Sequence, residues 1–241
     1  MEIFDKKISK SKILEGGFIL INKPLNWTSF QVVNKVRFVI KKLCNIDKLK
    51  VGHAGTLDPL ASGLLILAIG KATKHISKIQ NMKKIYTGTM NFGCSTPSFD
   101  METEPNNFFS TIHISESLIK NKINDFLGII DQYPPAYSAL KINGKPMYKY
   151  ARENKKIKIE PRKVKIDRFE FKSYKPPKFY FEVECSKGTY IRSLANDFGK
   201  KLDSGAYLSS LVRTNIGKYN LKNASQISAV SYTHLRAHET P

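Results

Sequence analysis

The chain predicts an α+β fold with a mixed, mainly antiparallel sheet flanked by helices and loops, and three observations lead there. Strand-like and helix-like runs alternate along the 241 residues without the regular strand–helix–strand rhythm of a parallel sheet. Two strands of period-two hydrophobicity follow one another directly, with Val164, Ile166, Phe169 and Phe171 on one and Phe179, Phe181, Val183 and Cys185 on the next. Asn143-Gly144 is a hairpin dipeptide, because both residues tolerate the positive φ that a tight turn between antiparallel strands requires.

Phe18-Ile19-Leu20-Ile21 predicts a buried strand running into a loop at Asn22-Lys23-Pro24. Thr28 or Ser29 caps a helix with apolar positions Val32, Val33, Val36, Val39, Ile40 and Leu43, while Lys35, Arg37, Lys41 and Lys42 occupy its other positions. Leu64 to Ile69 reads as a strand. The basic segment Lys71 to Lys84 carries Ile76, Ile79 and Met82 at helical spacing, and Ile85 to Phe92 reads as another strand. Ser95 to Pro105 is loop-like and acidic, with Asp100, Glu102 and Glu104. A helix opened by Ser115 or Ser117 carries Leu118, Ile119, Ile123, Phe126 and Leu127 and closes at Gly128. A short helix over Met147 to Arg152 leads into a second basic segment, Lys155 to Lys165. Ser186 to Leu194 turns into a helix running to Leu202, and Leu208 to Tyr219 is the last coherent unit. No repeat or Gly/Ser linker divides the chain, so residues 1–230 are expected to form one domain with its core at 18–219. Residues 231–241 show no periodicity and read as a non-native tail.

Forty Lys and Arg against twenty Asp and Glu give a formal charge of +20, which favours a polyanionic partner: nucleic acid first, an anionic membrane surface second. No apolar run approaches the roughly 20 residues needed to span a bilayer, and the first residues lack the apolar core of a secretory signal. Cys44, Cys94 and Cys185 are odd in number and widely spaced, which predicts buried, reduced thiols in a cytoplasmic protein. Five scattered histidines have no ligand spacing, so no metal is expected.

The stretch Gly52-His53-Ala54-Gly55-Thr56-Leu57-Asp58-Pro59-Leu60-Ala61-Ser62-Gly63 concentrates Gly and Pro around one carboxylate, Asp58, just ahead of an apolar strand. Gly admits unusual backbone angles and Pro fixes one, so such a turn can hold an acid in a defined direction. An ordinary Asx-type turn, with Asp58 serving its neighbours' backbone donors, fits the same residues.

That stretch, with Lys23-Pro24 upstream and Tyr137-Ser138-Ala139-Leu140-Lys141 and SKGTYIRSLANDFG downstream, resembles the bacterial TruB family of tRNA pseudouridine synthases. The resemblance runs in register from Phe18 to Tyr219. It implies the pseudouridine synthase fold, with an active-site cleft across the sheet, and isomerisation of the T-loop uridine of tRNA after the base is flipped out. It makes Asp58 the nucleophile, Tyr86 the ring that stacks on the base and a candidate for removing the C5 proton, and Arg192 the cation beside Asp58. Tyr190 and Leu211 would line the pocket, His53 would occupy the place the base leaves, and Lys23-Pro24 would buttress the catalytic loop. Without the resemblance, Arg192 fits a phosphate-binding helix face, Tyr86, Tyr190 and Leu211 fit core packing, His53 fits a backbone-bonded loop residue, and Lys23-Pro24 fits a strand-end turn. The reaction needs no cofactor. The implied partner is tRNA through its T-arm, bound by a cytoplasmic monomer without a protein partner, helped by the two basic segments. The chain looks like a short form lacking the C-terminal PUA-type domain. A guide-RNA-dependent synthase of the dyskerin type and a non-catalytic tRNA-folding chaperone are the alternatives.

Overall fold

The computed structural model describes residues 10–153, 155 and 157–228. The expected tail at 231–241 lies outside them. Along the chain run helix α1 (Lys10–Glu15), strand β1 (Gly17–Lys23), helix α2 (Ser29–Cys44), strands β2 (Val51–His53) and β3 (Ala61–Ile69), helix α3 (Ile76–Gln80) and strand β4 (Lys84–Phe92). Strands β5 (Cys94–Ser95) and β6 (Asn107–Phe108), helix α4 (Glu116–Ile123), strands β7 (Gly128–Gln132), β8 (Lys141–Ile142) and β9 (Lys145–Pro146) and helix α5 (Met147–Arg152) follow. Then come strands β10 (Arg162–Lys175) and β11 (Lys178–Cys185), helix α6 (Ile191–Lys201), and strands β12 (Ala206–Ile216), β13 (Tyr219–Asn220) and β14 (Ser225–Gln226). Ladders β1–β3, β2–β3, β7–β10 and β10–β11 are antiparallel and β1–β14 is parallel, so the fold is the mixed, mainly antiparallel α+β type that the sequence predicts. Among the described residues no helix is long and apolar enough to cross a membrane.

The chain divides into two compact units, Met1–Lys84 with Val212–Pro241, and Ile85–Leu211. In the first, β1 lies between β14 and β3. Its core is mainly aliphatic: Ile19, Ile21, Leu65, Leu67 and Ile69 pack with α2 in one cluster, and Phe18, Leu20, Leu64, Ile66 and Ala68 pack with Ile79 and Ile216 in another. Burial of both side-chain sets explains why these strands read as unbroken apolar runs. Helix α2 starts with a capping box, in which the Thr28 hydroxyl accepts from Gln31 N–H and the Gln31 side chain accepts from Thr28 N–H, and it ends at Asn45 in the left-handed region. Leu43, expected on its apolar face, is 45% exposed; Cys44, four residues after Ile40, holds the core position instead. The basic segment Lys71 to Lys84 forms a 3-10 turn and the short α3, with Ile79 buried. Its last residue is not a surface charge: Lys84 is buried, and its ammonium caps the end of α3 by donating to the Gln80 (2.5 Å) and Met82 (2.6 Å) carbonyls.

The second unit has an aromatic core, in which Phe92, Phe126, Phe169, Phe179 and Phe198 contact one another with ring centroids 5.4–6.5 Å apart. The two alternating strands are β10 and β11, as predicted, with Phe169 opposite Val183. Asn143 (φ 51°) and Gly144 (φ 78°) form the predicted turn, between Ile142 and its ladder partner Lys145. Helix α4 stops at Ile123 and gives way to a 3-10 turn, so Leu127, expected on its apolar face, is exposed. Gly128 (φ 88°) then opens β7, an unexpected strand paired with β10. Cys44 and Cys185 are buried as expected, whereas Cys94 is half-buried. Asp100, the first acid of the 95–105 loop, is buried rather than solvated.

Candidate active site

Asp58 sits on the turn between β2 and β3, in the first unit, and the main chain on both sides of it is held by buried side chains. Ser29, at the start of α2, binds Leu57 twice: its Oγ accepts the Leu57 N–H (2.9 Å) and donates to the Leu57 carbonyl (3.1 Å). Lys23, at the end of β1, is fully buried and donates to the carbonyls of Trp27 (2.6 Å), Pro24 (2.9 Å) and Pro59 (3.5 Å). The Pro59 carbonyl also accepts Asn26 N–H at 2.8 Å, and the Asp58 carbonyl accepts Ala61 N–H at 3.1 Å. Neighbouring elements thus hold the turn from outside, in addition to its own residues.

Arg213 is the residue sequence reasoning missed here. It is 1% exposed on β12, and its guanidinium donates to the carbonyls of Leu64 (2.8 Å), Gly55 (3.0 Å) and Thr56 (3.3 Å). Its backbone comes so close to Gly63 that a Cβ there would meet the Arg213 carbonyl oxygen, and Gly63 also has φ 105°. Only glycine fits that position. The available signal was a lone cation between the apolar positions Leu211 and Ile216 of an otherwise core-facing strand.

Burial lowers the Lys23 pKa to about 8, with the Asp58 carboxylate opposing that shift and the Arg213 charge adding to it. His53, the last residue of β2, is pushed below the ordinary histidine value, first by burial and then by the Arg213 charge, against a backbone hydrogen bond at Gly55. An imidazole, an ammonium and a guanidinium therefore accompany the Asp58 carboxylate in this unit. Lys23, His53 and Asp58 lie in the same unit, where Lys23 feels the charges of Asp58 and Arg213 and His53 feels that of Arg213.

Tyr86, Tyr190, Arg192 and Leu211 belong to the second unit. Tyr86 lies on β4 and Leu211 on β12, both buried at 8% exposure. Tyr190 immediately precedes α6 and is half-buried. Arg192, in the first turn of α6, is 4% exposed and donates to the carbonyls of Tyr137 (3.0 Å) and Ser98 (3.1 Å), with its Nε 3.5 Å from an Asp100 carboxylate oxygen. Asp100 also accepts from the Ser98 hydroxyl (2.6 Å) and the Glu102 N–H (2.9 Å). A helix-face arginine free to bind phosphate is therefore not what the fold contains. The side chain is built into the loop that the sequence marked only as acidic.

Among the described residues, no group of His, Cys, Asp and Glu is placed to hold a metal. A family model described as the TruB family pseudouridylate synthase, N-terminal domain, matches residues 41–191. The chain belongs to the TruB family. That match includes His53, Asp58, Tyr86 and Tyr190, while Lys23, Arg192, Leu211 and Arg213 lie outside it. Among TruB relatives, the tRNA pseudouridine synthase B of Flavobacterium johnsoniae is 51% identical over 222 residues, covering 92% of this chain and 97% of the relative. That of Chloroherpeton thalassium is 46% identical over 217 residues, covering 90% and 89%. Among solved structures, a chain of a Cbf5-Nop10-Gar1 complex superposes with a TM-score of 0.66 at 28% identity over 93% of this chain. This TruB chain spans 56% of that longer one.

Proposed function

We propose that this protein isomerises a uridine in the T-loop of tRNA to pseudouridine, acting in the cytoplasm as a monomer without a protein partner, with residues 18–219 as its catalytic core. The observation that carries this reading is the 51% identity over 97% of the length of a tRNA pseudouridine synthase B. The site chemistry agrees with it. Conversion to pseudouridine breaks the N1–C1′ bond, turns the uracil and joins its C5 to C1′; C5 loses a proton, N1 gains one, and no electrons are lost or gained. A positioned carboxylate is the group such a reaction needs, and the braced Asp58 is the candidate. Arg192 is assigned as its cation, Tyr86 as the stacking ring and the acceptor of the C5 proton, and Tyr190 and Leu211 as pocket walls. His53, whose pKa burial pushes down, is assigned the place the base leaves. Lys71, Lys74, Lys78 and Lys83 are exposed, and with the +20 charge they suit electrostatic, salt-sensitive contact with phosphates.

The test is tritium release from C5-labelled uridine in unmodified tRNA, coupled to base-resolution mapping of the product. The wild type is expected to release tritium from the T-loop position alone, and Asp58→Asn to release none. Equal release by Asp58→Asn would remove Asp58 from its role. A requirement for an added guide RNA would favour the dyskerin-type reading, and tRNA refolding without release would favour a chaperone.

A further inference from the structure

Gln132 ends β7, is 2% exposed, and belongs to none of the motifs that mark the site. Its side-chain amide grips the main chain of Tyr190 at two points. Oε1 accepts the Tyr190 N–H at 2.8 Å, and Nε2 donates to the Tyr190 carbonyl at 3.1 Å. The orientation of the amide is fixed by these partners, since a backbone N–H can only donate and a carbonyl can only accept. No other side chain of this length offers a donor and an acceptor in that arrangement without carrying charge.

The grip falls where it has most leverage. The Tyr190 carbonyl also accepts the Leu194 N–H at 3.0 Å, so this peptide begins the hydrogen-bond ladder of α6. Helix α6 has no side-chain cap at its start: Tyr190 is extended at φ −95°, ψ 111°, and its own side chain makes no capping bond. The first N–H groups of a helix have no partner within it, and here the Gln132 amide fixes the peptide where such a cap would stand. Further ties run from the first turn of α6 to the chain that follows β7: Ser193 Oγ donates to the Tyr133 carbonyl at 2.7 Å, and Arg192 to the Tyr137 carbonyl at 3.0 Å. In its ladder with β10, Gln132 pairs with Arg162, so the grip is anchored to the sheet of the second unit.

We propose that Gln132 is a positioning residue for the isomerisation, setting the direction of Tyr190 and the phase of α6 that aims Arg192 without touching the uridine itself. This rests on the assignment of Tyr190 and Arg192 in the proposed function. Losing the amide lets the Tyr190 peptide turn, and a shift of about 1 Å in a positioned group can cost about 100-fold in rate.

The test is single-turnover conversion of tRNA with enzyme in excess. At saturating enzyme the rate constant belongs to the folded molecules, so a variant that is only destabilised changes the enzyme concentration needed and not that limit. Gln132→Met, similar in length and apolar, is expected to lower the limiting rate about 100-fold, with the half-saturating enzyme concentration within about threefold of wild type because the phosphate contacts remain. Gln132→Glu keeps the acceptor for the Tyr190 N–H but sets a carboxylate oxygen against the Tyr190 carbonyl. It is expected to be slowed as well, and it carries the test if Gln132→Met does not fold. Wild-type limiting rates in the folded variants would overturn the inference. Asp58→Asn run alongside separates the two levels: if it is dead while the Gln132 variants run at full rate, only the positioning role falls. If Asp58→Asn turns over normally, the site reading itself falls.

Discussion

The Asp58 turn and the start of α6 are both held by buried side chains acting on main-chain atoms, but with different chemistry. At the turn, the ammonium of Lys23 and the guanidinium of Arg213 donate to six carbonyls between them, and Ser29 is the neutral helper. At the start of α6, neutral groups hold the Tyr190 and Tyr133 peptides, the amide of Gln132 and the hydroxyl of Ser193, while the Arg192 guanidinium ties the more distant Tyr137 and Ser98 carbonyls. The cores beneath them differ too, mainly aliphatic in the first unit and aromatic in the second. The contrast follows from what each segment lacks. The turn leaves carbonyls pointing inward, which only donors can satisfy, and cations donate without needing a donor in return. The start of a helix leaves N–H groups without partners, and the Gln132 amide serves the Tyr190 N–H with its oxygen while its NH2 adds a second bond to the Tyr190 carbonyl, which already accepts from Leu194.

Removing Arg213 should produce the largest effect on stability. Arg213→Met removes three charge-assisted hydrogen bonds, one to the buried Leu64 carbonyl and two to the less buried Gly55 and Thr56 carbonyls, and should cost about 3 kcal/mol in chemical denaturation. A cost below 1 kcal/mol would mean that the turn holds itself. Ser29→Ala breaks the two-way bond with Leu57 and should cost about 1–2 kcal/mol. It should also slow single-turnover conversion, because Leu57 adjoins Asp58. Thr28→Ala, one residue earlier, removes half of the capping box and should cost about 1 kcal/mol with the limiting rate unchanged. A slowed Thr28→Ala enzyme would show that any loosening of α2 reaches the turn, and the specific role of Ser29 would go.

The subtlest prediction concerns pH. Lys23 titrates near 8 in the folded protein, against 10.5 for an ordinary lysine. Between those values the unfolded chain binds the proton and the folded chain does not, so raising the pH across that window favours the folded state through this residue. The penalty for burying the charged amine is complete below pH 8 and relieved by pH 10.5. Wild type should therefore gain stability relative to Lys23→Met over that range. Backbone hydrogen exchange, corrected for its intrinsic pH dependence, should change at the Asp58 turn over the same range more than at the Tyr190 peptide. Equal changes at both places would erase the distinction between charged and neutral bracing.

Most strands and helices were legible because their evidence is local. The valines of α2, the alternation of β10 and β11 and the Asn143-Gly144 turn each declare themselves within a few residues. Leu43 and Leu127 were misplaced because a helix boundary moves with capping and with 3-10 turns, which one-residue steps in an apolar pattern do not record. Strand β7 escaped notice because it alternates over five residues at the edge of a ladder that β10 supplies. The burial of Lys84 and Asp100 is not legible in the sequence, because charge predicts exposure until a buried partner appears.

The sequence by itself determined the family, the α+β class and the place of the one carboxylate on a turn of glycine and proline, since these depend on residue types at fixed short spacings. Only the tertiary structure decided what keeps that turn in place. Arg213 reaches the Gly55 carbonyl across 158 positions of chain, and Gln132 reaches Tyr190 across 58. No local pattern encodes those bonds, because each depends on two distant backbones folding within about 3 Å of a side chain's end.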